Sequence, residues 1–133
     1  SHIRYNIVVS PDEQIRQKVI KDSAESYLKV TDEQDIMVNT PQKKEFQISG
    51  LYPDIIIRMK TGETVMEIVE TEATLEQNQV EKWKSFAALG NEFKLVVPLS
   101  KIEDAKALAT GIPNINVQAY EVVDDQIHWF GQR

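Results

Sequence analysis

Cysteine is absent from this 133-residue chain, and histidine occurs only twice. Disulfide bonds and thiolate metal sites are therefore excluded, and His2 and His128 are too far apart in sequence to suggest a shared metal site. No apolar run approaches the roughly 18–20 residues that a membrane span needs, and no signal-peptide pattern opens the chain. We accordingly expect no membrane association and a cytoplasmic location.

Positive charge is also scarce. Acidic residues outnumber basic residues by 21 to 15, which gives a net charge of −6. Proteins that clamp long duplex nucleic acid usually show a basic balance or a basic face, so the sequence disfavours this mode of binding. A small nuclease is compatible with the count, because a carboxylate-bound divalent cation adds local positive charge. A basic patch would favour nucleic acid, and its candidate members are Arg58, Lys60, Lys82, Lys84 and Lys94.

The remaining composition, with 41% hydrophobic and 27% charged residues, is that of an ordinary globular protein. The sequence contains no phosphate-binding glycine loop, nucleophile elbow, internal repeat or low-complexity segment. Its length suits one hydrophobic core. We therefore predict a single domain over residues 1–133, in which Ser1 and His2 resemble a cloning remnant.

The first half of the chain predicts one helix followed by strands. Ser10-Pro11-Asp12-Glu13 is a capping box with proline at the first helical position, which predicts a helix to about Lys29. The polar segment from Thr31 to Lys44 is interpreted as loop. An alternation at Phe46 and Ile48 predicts a short strand before Gly50.

Two β-branched runs, Asp54–Met59 and Thr64–Glu70, predict a central hairpin. A second capping box at Thr74 predicts a helix to about Leu89. Further on, the pattern predicts a strand at 93–97, a helix capped by Ser100, and strands at 115–119 and 127–130. This order is typical of an α/β fold with a mixed central sheet flanked by helices.

Acidic residues mark the central hairpin. Asp54 follows Pro53 at the start of the first strand, and Glu67 and Glu70 lie in the second. This arrangement resembles the PD-(D/E)xK nuclease superfamily, in which an acid opening one strand and an acid-x-lysine triplet in the next bind a divalent metal. The resemblance implies a restriction endonuclease-like core and a site for Mg²⁺ or Mn²⁺. The helix and strand that follow, as far as Pro98, agree with that core.

The pairing register of the hairpin decides which acids meet. An even loop centred on Thr61 and Gly62 places Asp54 opposite Val69 and makes Glu67 its diagonal neighbour. Asp54 and Glu67 are then the predicted metal ligands, because a hard cation prefers oxygen ligands. On this register Val69 occupies the family's lysine position.

Two other alignments stay open. An odd loop or a bulge places Asp54 on one face with Ile68 and Glu70, so that isoleucine stands at the acid position and Glu70 at the lysine position. A third alignment takes Glu70-Thr71-Glu72 as the triplet. None of the three supplies the motif lysine, which indicates an inactivated member or one whose lysine has moved.

The second predicted helix offers a replacement lysine. Gln79 and Trp83 resemble the glutamine-x-x-x-tyrosine element of RecB-like members, and Gln79 falls on the core-facing stripe near the expected carboxylates. Lys82 flanks that stripe, whereas Lys84 points away from it. Lys82 is therefore our candidate for the migrated lysine, and Gln79 is expected to orient a ligand or a phosphate.

Two functions follow from these residues. In the first, the chain is a divergent nuclease in which Asp54 and Glu67, joined or replaced by Glu70, hold a metal for phosphodiester hydrolysis of nucleic acid. In the second, the chain keeps the nuclease fold without its chemistry and binds a protein partner. The missing lysine and the negative charge favour the second function, and the polar segment around Asp124 is its candidate interaction edge.

Overall fold

The computed structural model describes residues 9–131. The alternation of Ile3, Tyr5 and Ile7 predicts an extended lead-in over residues 3–9, which lies almost entirely outside the described residues. Helix α1 spans Pro11–Ser26 and begins as the capping box predicts. The Glu13 backbone N–H donates to Ser10 Oγ at 3.1 Å. The α-helix ends at Ser26, because Tyr27–Lys29 continue it as a 3₁₀ turn.

Six strands form one mixed sheet and are hydrogen-bonded in chain order. Their bounds are Ile36–Val38 (β1), Ile55–Arg58 (β2), Thr64–Val69 (β3), Glu92–Pro98 (β4), Ile115–Val123 (β5) and Gln126–Phe130 (β6). Strands β3, β4 and β5 are parallel, and the other neighbouring pairs are antiparallel. Helices α2 (Val80–Ala87) and α3 (Ile102–Leu108) make the two crossovers. The predicted α/β class, with a mixed sheet flanked by helices, is confirmed.

Helices cover both faces of the sheet. On the face that we call the α2 face, Met66 and Ile68 of β3 pack with Trp83 and Phe86 of α2. On the opposite face, the α1 face, the core holds Val65 and Val69 of β3 together with Val19, Ile20 and Tyr27. Alternate residues of β3 therefore point to different helices. None of the helices within residues 9–131 combines the length and apolarity that a membrane span requires.

Strands β2 and β3 form the predicted hairpin, but the even-loop register is wrong. Ile55 lies opposite Glu67 in the structure. The Met59 N–H donates to Glu63 O at 2.8 Å, so the loop has an odd number of residues. Gly62, with a φ of 92°, takes the left-handed conformation typical of such three-residue loops. A shift of one residue moves every side chain of the strand to the other face.

The first edge of the sheet also differs from the prediction. The segment interpreted as loop contains β1, which pairs with β2. The strand predicted at Phe46 and Ile48 is wrong, since Ile48 makes only an isolated bridge with Leu51. The cause is Asn39, whose side chain accepts from the Phe46 N–H at 2.9 Å and donates to the Phe46 carbonyl at 2.7 Å. The backbone groups of Phe46 are therefore satisfied without a strand partner.

Helix α2 begins at Val80, well after the predicted cap at Thr74. Thr74 Oγ1 accepts instead from the Thr71 N–H at 2.8 Å, which closes a turn directly after β3. A 3₁₀ turn, Gln77–Gln79, then precedes the helix. The capping-box prediction at Thr74 is therefore wrong.

Strands β5 and β6 form an antiparallel pair across a tight turn. Asp124 and Asp125 occupy this turn, and both have positive φ. The segment predicted as an interaction edge is thus the tip of a hairpin.

Candidate functional site

Asp54 lies directly before β2 and is 7% exposed. Its Oδ2 accepts from the Val69 N–H at 2.8 Å, and its Oδ1 forms an ion pair with the Arg16 guanidinium. Burial raises the pKa of Asp54, and the positive charge of Arg16 opposes that shift. The acid that opens the central strand is therefore held by α1 and β3 together.

Arg16 is a site residue that no motif indicates. Its guanidinium also donates to Glu13 Oε1 at 2.8 Å and to the Val69 carbonyl at 3.3 Å. Arg16 lies at helical spacing from Ile20 and Ser23, on the stripe of α1 that packs on the sheet. A charged residue on an otherwise core-facing stripe is the signal that could have identified it.

Glu70 follows β3 immediately and contacts α2. Lys82 Nζ lies 3.3 Å from Oε1 and 3.5 Å from Oε2 of Glu70, and Trp83 Nε1 donates to Oε2 at 3.2 Å. Burial raises the pKa of Glu70, while Lys82 and the bond from Trp83 oppose the shift. The structure thus brings Lys82 to an acid of the central hairpin.

Glu67 lies on the α1 face and is fully buried. Ser23 Oγ donates to Glu67 Oε1 at 2.6 Å, and the Tyr27 hydroxyl donates to Oε2. Lys94 Nζ in turn donates to the Tyr27 hydroxyl at 2.9 Å. These four residues form a buried polar network beneath α1.

The structure does not bring Asp54 and Glu67 together as a ligand pair, which corrects the expectation from the even register. Glu67 stands opposite Ile55 and is held by partners on α1, whereas Asp54 is held by Arg16 and Val69. The odd-loop alternative describes the observed pairing, with Ile68 and Glu70 at the acid and lysine positions.

The structure also places two other residues that the sequence analysis singled out. The Gln79 amide donates to Asn78 Oδ1 at 3.3 Å, and α2 begins one residue after Gln79. Lys94 is buried against Tyr27, so it cannot join Lys82 in an exposed basic patch.

A groove of about 430 Å³ opens beside Asp54. We call it the Asp54 groove. Ile68, Lys82 and Phe86 line it on the α2 face, and α1 and the segment before β2 contribute the rest. Its charged lining residues are three cations, Arg16, Lys44 and Lys82, and two acids, Glu13 and Asp54.

The arrangement of acids limits how a divalent cation could bind. No group of three or more histidine, aspartate or glutamate side chains within residues 9–131 is arranged to hold a metal ion. Mg²⁺, however, is commonly held by one or two carboxylates together with water and substrate phosphates. Asp54 and Glu70 are the two carboxylates of this region that could serve in that way. Burial is the main cause of the raised pKa of Glu70, and the negative charge of Asp54 adds to the shift. Glu67 is not suited to this role, because its carboxylate is bonded to Ser23 and Tyr27 on the α1 face.

Glu70→Gln is expected to gain stability relative to the parent chain as the pH rises. A carboxyl with a raised folded pKa holds its proton more tightly in the folded state, so folding becomes less favourable as the pH rises from the ordinary value of 4.5 towards the folded value. Glutamine removes that titration. Denaturant unfolding at about pH 4 and about pH 7 measures the difference, with exposed Glu103→Gln as the control. An equal difference between parent and Glu70→Gln at both pH values would contradict the raised pKa.

Comparison with known proteins supports the fold. No protein-family model matches the chain, and no curated protein does. Among solved structures, the chain is similar to Pyrococcus furiosus SfsA in complex with Ca²⁺, with a TM-score of 0.52 and 13% identity. The match covers 90% of this chain and 63% of SfsA, so the chain spans less than two thirds of that protein. At this identity, what the two chains share is an α/β fold.

Proposed function

We propose that the chain is a divergent PD-(D/E)xK-type nuclease domain that hydrolyses phosphodiester bonds of nucleic acid at the Asp54 groove. The observation that carries this proposal is the meeting of Asp54, Glu70 and Lys82 at one end of the β2–β3 pair. The succession of β3, α2 and β4 agrees with the superfamily core. The fold likeness to SfsA is compatible with the proposal.

Asp54 and Lys82 of the groove, together with Glu70 beside Lys82, have contacts that suit a role in this reaction. Asp54 and Glu70 would hold Mg²⁺ or Mn²⁺, which polarises the scissile phosphate and lowers the pKa of a bound water. Lys82, with a side chain 41% exposed, can reach a phosphate oxygen and stabilise developing negative charge. Cation binding requires Arg16 to release Asp54. Glu13 and the Val69 carbonyl are available to hold the guanidinium.

Lys82→Ala is expected to lower metal-dependent cleavage by about 100-fold, because loss of one charge-stabilising donor typically lowers kcat by 10²–10³. Cleavage of labelled DNA and RNA oligonucleotides in Mg²⁺ or Mn²⁺ measures the effect. Lys84→Ala is the matched control, since Lys84 lies on the same helix, pairs with Glu81 at 3.3 Å and does not line the groove. No cleavage by the parent chain, or an equal loss in both variants, would contradict the proposal.

A second candidate is a non-catalytic module that binds a protein partner. The specific observation in its favour is that Arg16 already compensates the charge of Asp54, while Ile68 stands at the motif's acid position. A parent chain that neither cleaves nucleic acid nor binds Mn²⁺ would favour this candidate over the nuclease.

A further inference from the structure

An exposed aromatic side chain lines the Asp54 groove. Tyr52 is 41% exposed and stands two residues before Asp54. Tyr52 belongs to neither of the hydrophobic core clusters formed by the described residues. An aromatic ring left at the wall of a charged groove offers a flat surface for a planar ligand.

The backbone around Tyr52 is fixed on both sides. Ile48 and Leu51 bond each other's backbone groups at 2.8 and 2.9 Å across a tight turn, and Leu51 packs against the α2 core. After Tyr52, the Asp54 N–H donates to Glu67 O at 3.0 Å. The ring is therefore carried on a short segment anchored to the sheet, which keeps it close to the proposed ligand Asp54.

Basic side chains line the same groove as the Tyr52 ring. Lys44 is exposed, and Lys82 and Arg16 complete the positive lining. Neighbouring cations and an exposed aromatic ring are the pair of features with which proteins bind single-stranded nucleic acid: the cations follow the phosphates and the ring stacks on a base. Duplex binding would instead call for an extended basic surface. The net charge of −6 and the small size of the groove argue against such an extended basic surface.

We propose that the Asp54 groove takes single-stranded nucleic acid, with one base stacked on Tyr52 and the adjoining phosphates held by Lys44 and Lys82. This inference rests on the proposed nuclease function and names its substrate class. A base in a duplex is stacked between its neighbours and is not available to Tyr52, so the groove selects unpaired segments or frayed ends.

The test measures binding of two fluorescein-labelled probes in the presence of Ca²⁺. One probe is an oligothymidylate of about six nucleotides, a length within the range of single-strand site sizes. The other is a duplex of the same length. The parent chain is expected to prefer the single strand. Tyr52→Ala should weaken single-strand binding by about 10-fold, since stacking of one base contributes ~1–3 kcal/mol. Tyr52→Phe keeps the ring and should bind like the parent chain.

Phe130→Ala is the matched control, because Phe130 is equally exposed (40%) but lies on β6, outside the groove. Duplex preference, or single-strand binding that Tyr52→Ala leaves unchanged, would overturn the inference. If that binding is still lost in Lys82→Ala, the proposed function survives. Failure to bind either probe would overturn the inference and the proposed function together.

Discussion

Lys94→Met is expected to lower the free energy of unfolding by about 1–3 kcal/mol, which is the usual effect of removing one partner of a buried hydrogen bond. Lys94 is the register partner of Glu67 on the neighbouring strand, and its ammonium reaches the Tyr27 hydroxyl that donates to Glu67. Without the cation, the Tyr27 hydroxyl that donates to the fully buried carboxylate of Glu67 loses its charged partner. Chemical denaturation at neutral pH measures the loss.

The buried network also predicts non-additivity. Glu67→Gln combined with Lys94→Met removes both charges, so the double variant is expected to be more stable than Lys94→Met alone. Lys106→Met, on the exposed side of α3, is the control and should change stability by less than about 0.5 kcal/mol. A loss below about 1 kcal/mol in Lys94→Met would show that Glu67 does not depend on the cation.

Arg16→Met is expected to lower the free energy of unfolding by about 3 kcal/mol, and Mn²⁺ is expected to restore much of that loss. The substitution leaves Asp54, nearly buried, without the cation that compensates it. It also clears the position that a metal would take. A ligand that binds only the folded state then stabilises it in proportion to its concentration over its Kd.

The matched control is Arg16→Met combined with Asp54→Asn. This double variant has no unpaired charge at the position, so it should be more stable than Arg16→Met in the absence of metal and should not respond to Mn²⁺. Thermal or denaturant unfolding with and without Mn²⁺ measures how far the metal stabilises Arg16→Met and the double variant. An Arg16→Met variant that Mn²⁺ does not stabilise would argue that Arg16 is a permanent structural partner of Asp54.

Elements whose ends depend on local chemistry could be predicted from the sequence. The cap of α1 is an example, because the Ser10 side chain accepts from the Glu13 N–H within four residues of chain. The hairpin of β2 and β3 is another, since two β-branched runs flank a glycine turn. Thr74 shows the limit of such signals, because threonine can cap a helix or close a turn. Here Thr74 Oγ1 accepts from the Thr71 N–H and closes a turn.

The site was harder to predict, because a single residue of loop length decides which acids share a face. The three-residue loop ending at Gly62 sends Glu67 to the α1 face and Glu70 towards Lys82. Arg16 could not be predicted from any motif, since its pairing with Asp54 spans 38 positions of sequence and depends on how α1 packs. Long-range packing therefore determines the chemistry of the groove, although local patterns predict most of the fold.

Calorimetric titration of Mn²⁺ into the metal-free protein is the most direct measurement of whether Asp54 and Glu70 form a site. We expect specific binding that Asp54→Asn and Glu70→Gln each weaken by at least about 100-fold, because even supporting residues of metal sites contribute 10–100-fold. Glu67→Gln should bind like the parent chain, since Glu67 faces α1. Absence of binding, or equal weakening in Glu67→Gln, would contradict the assignment of the Asp54 groove as the functional site.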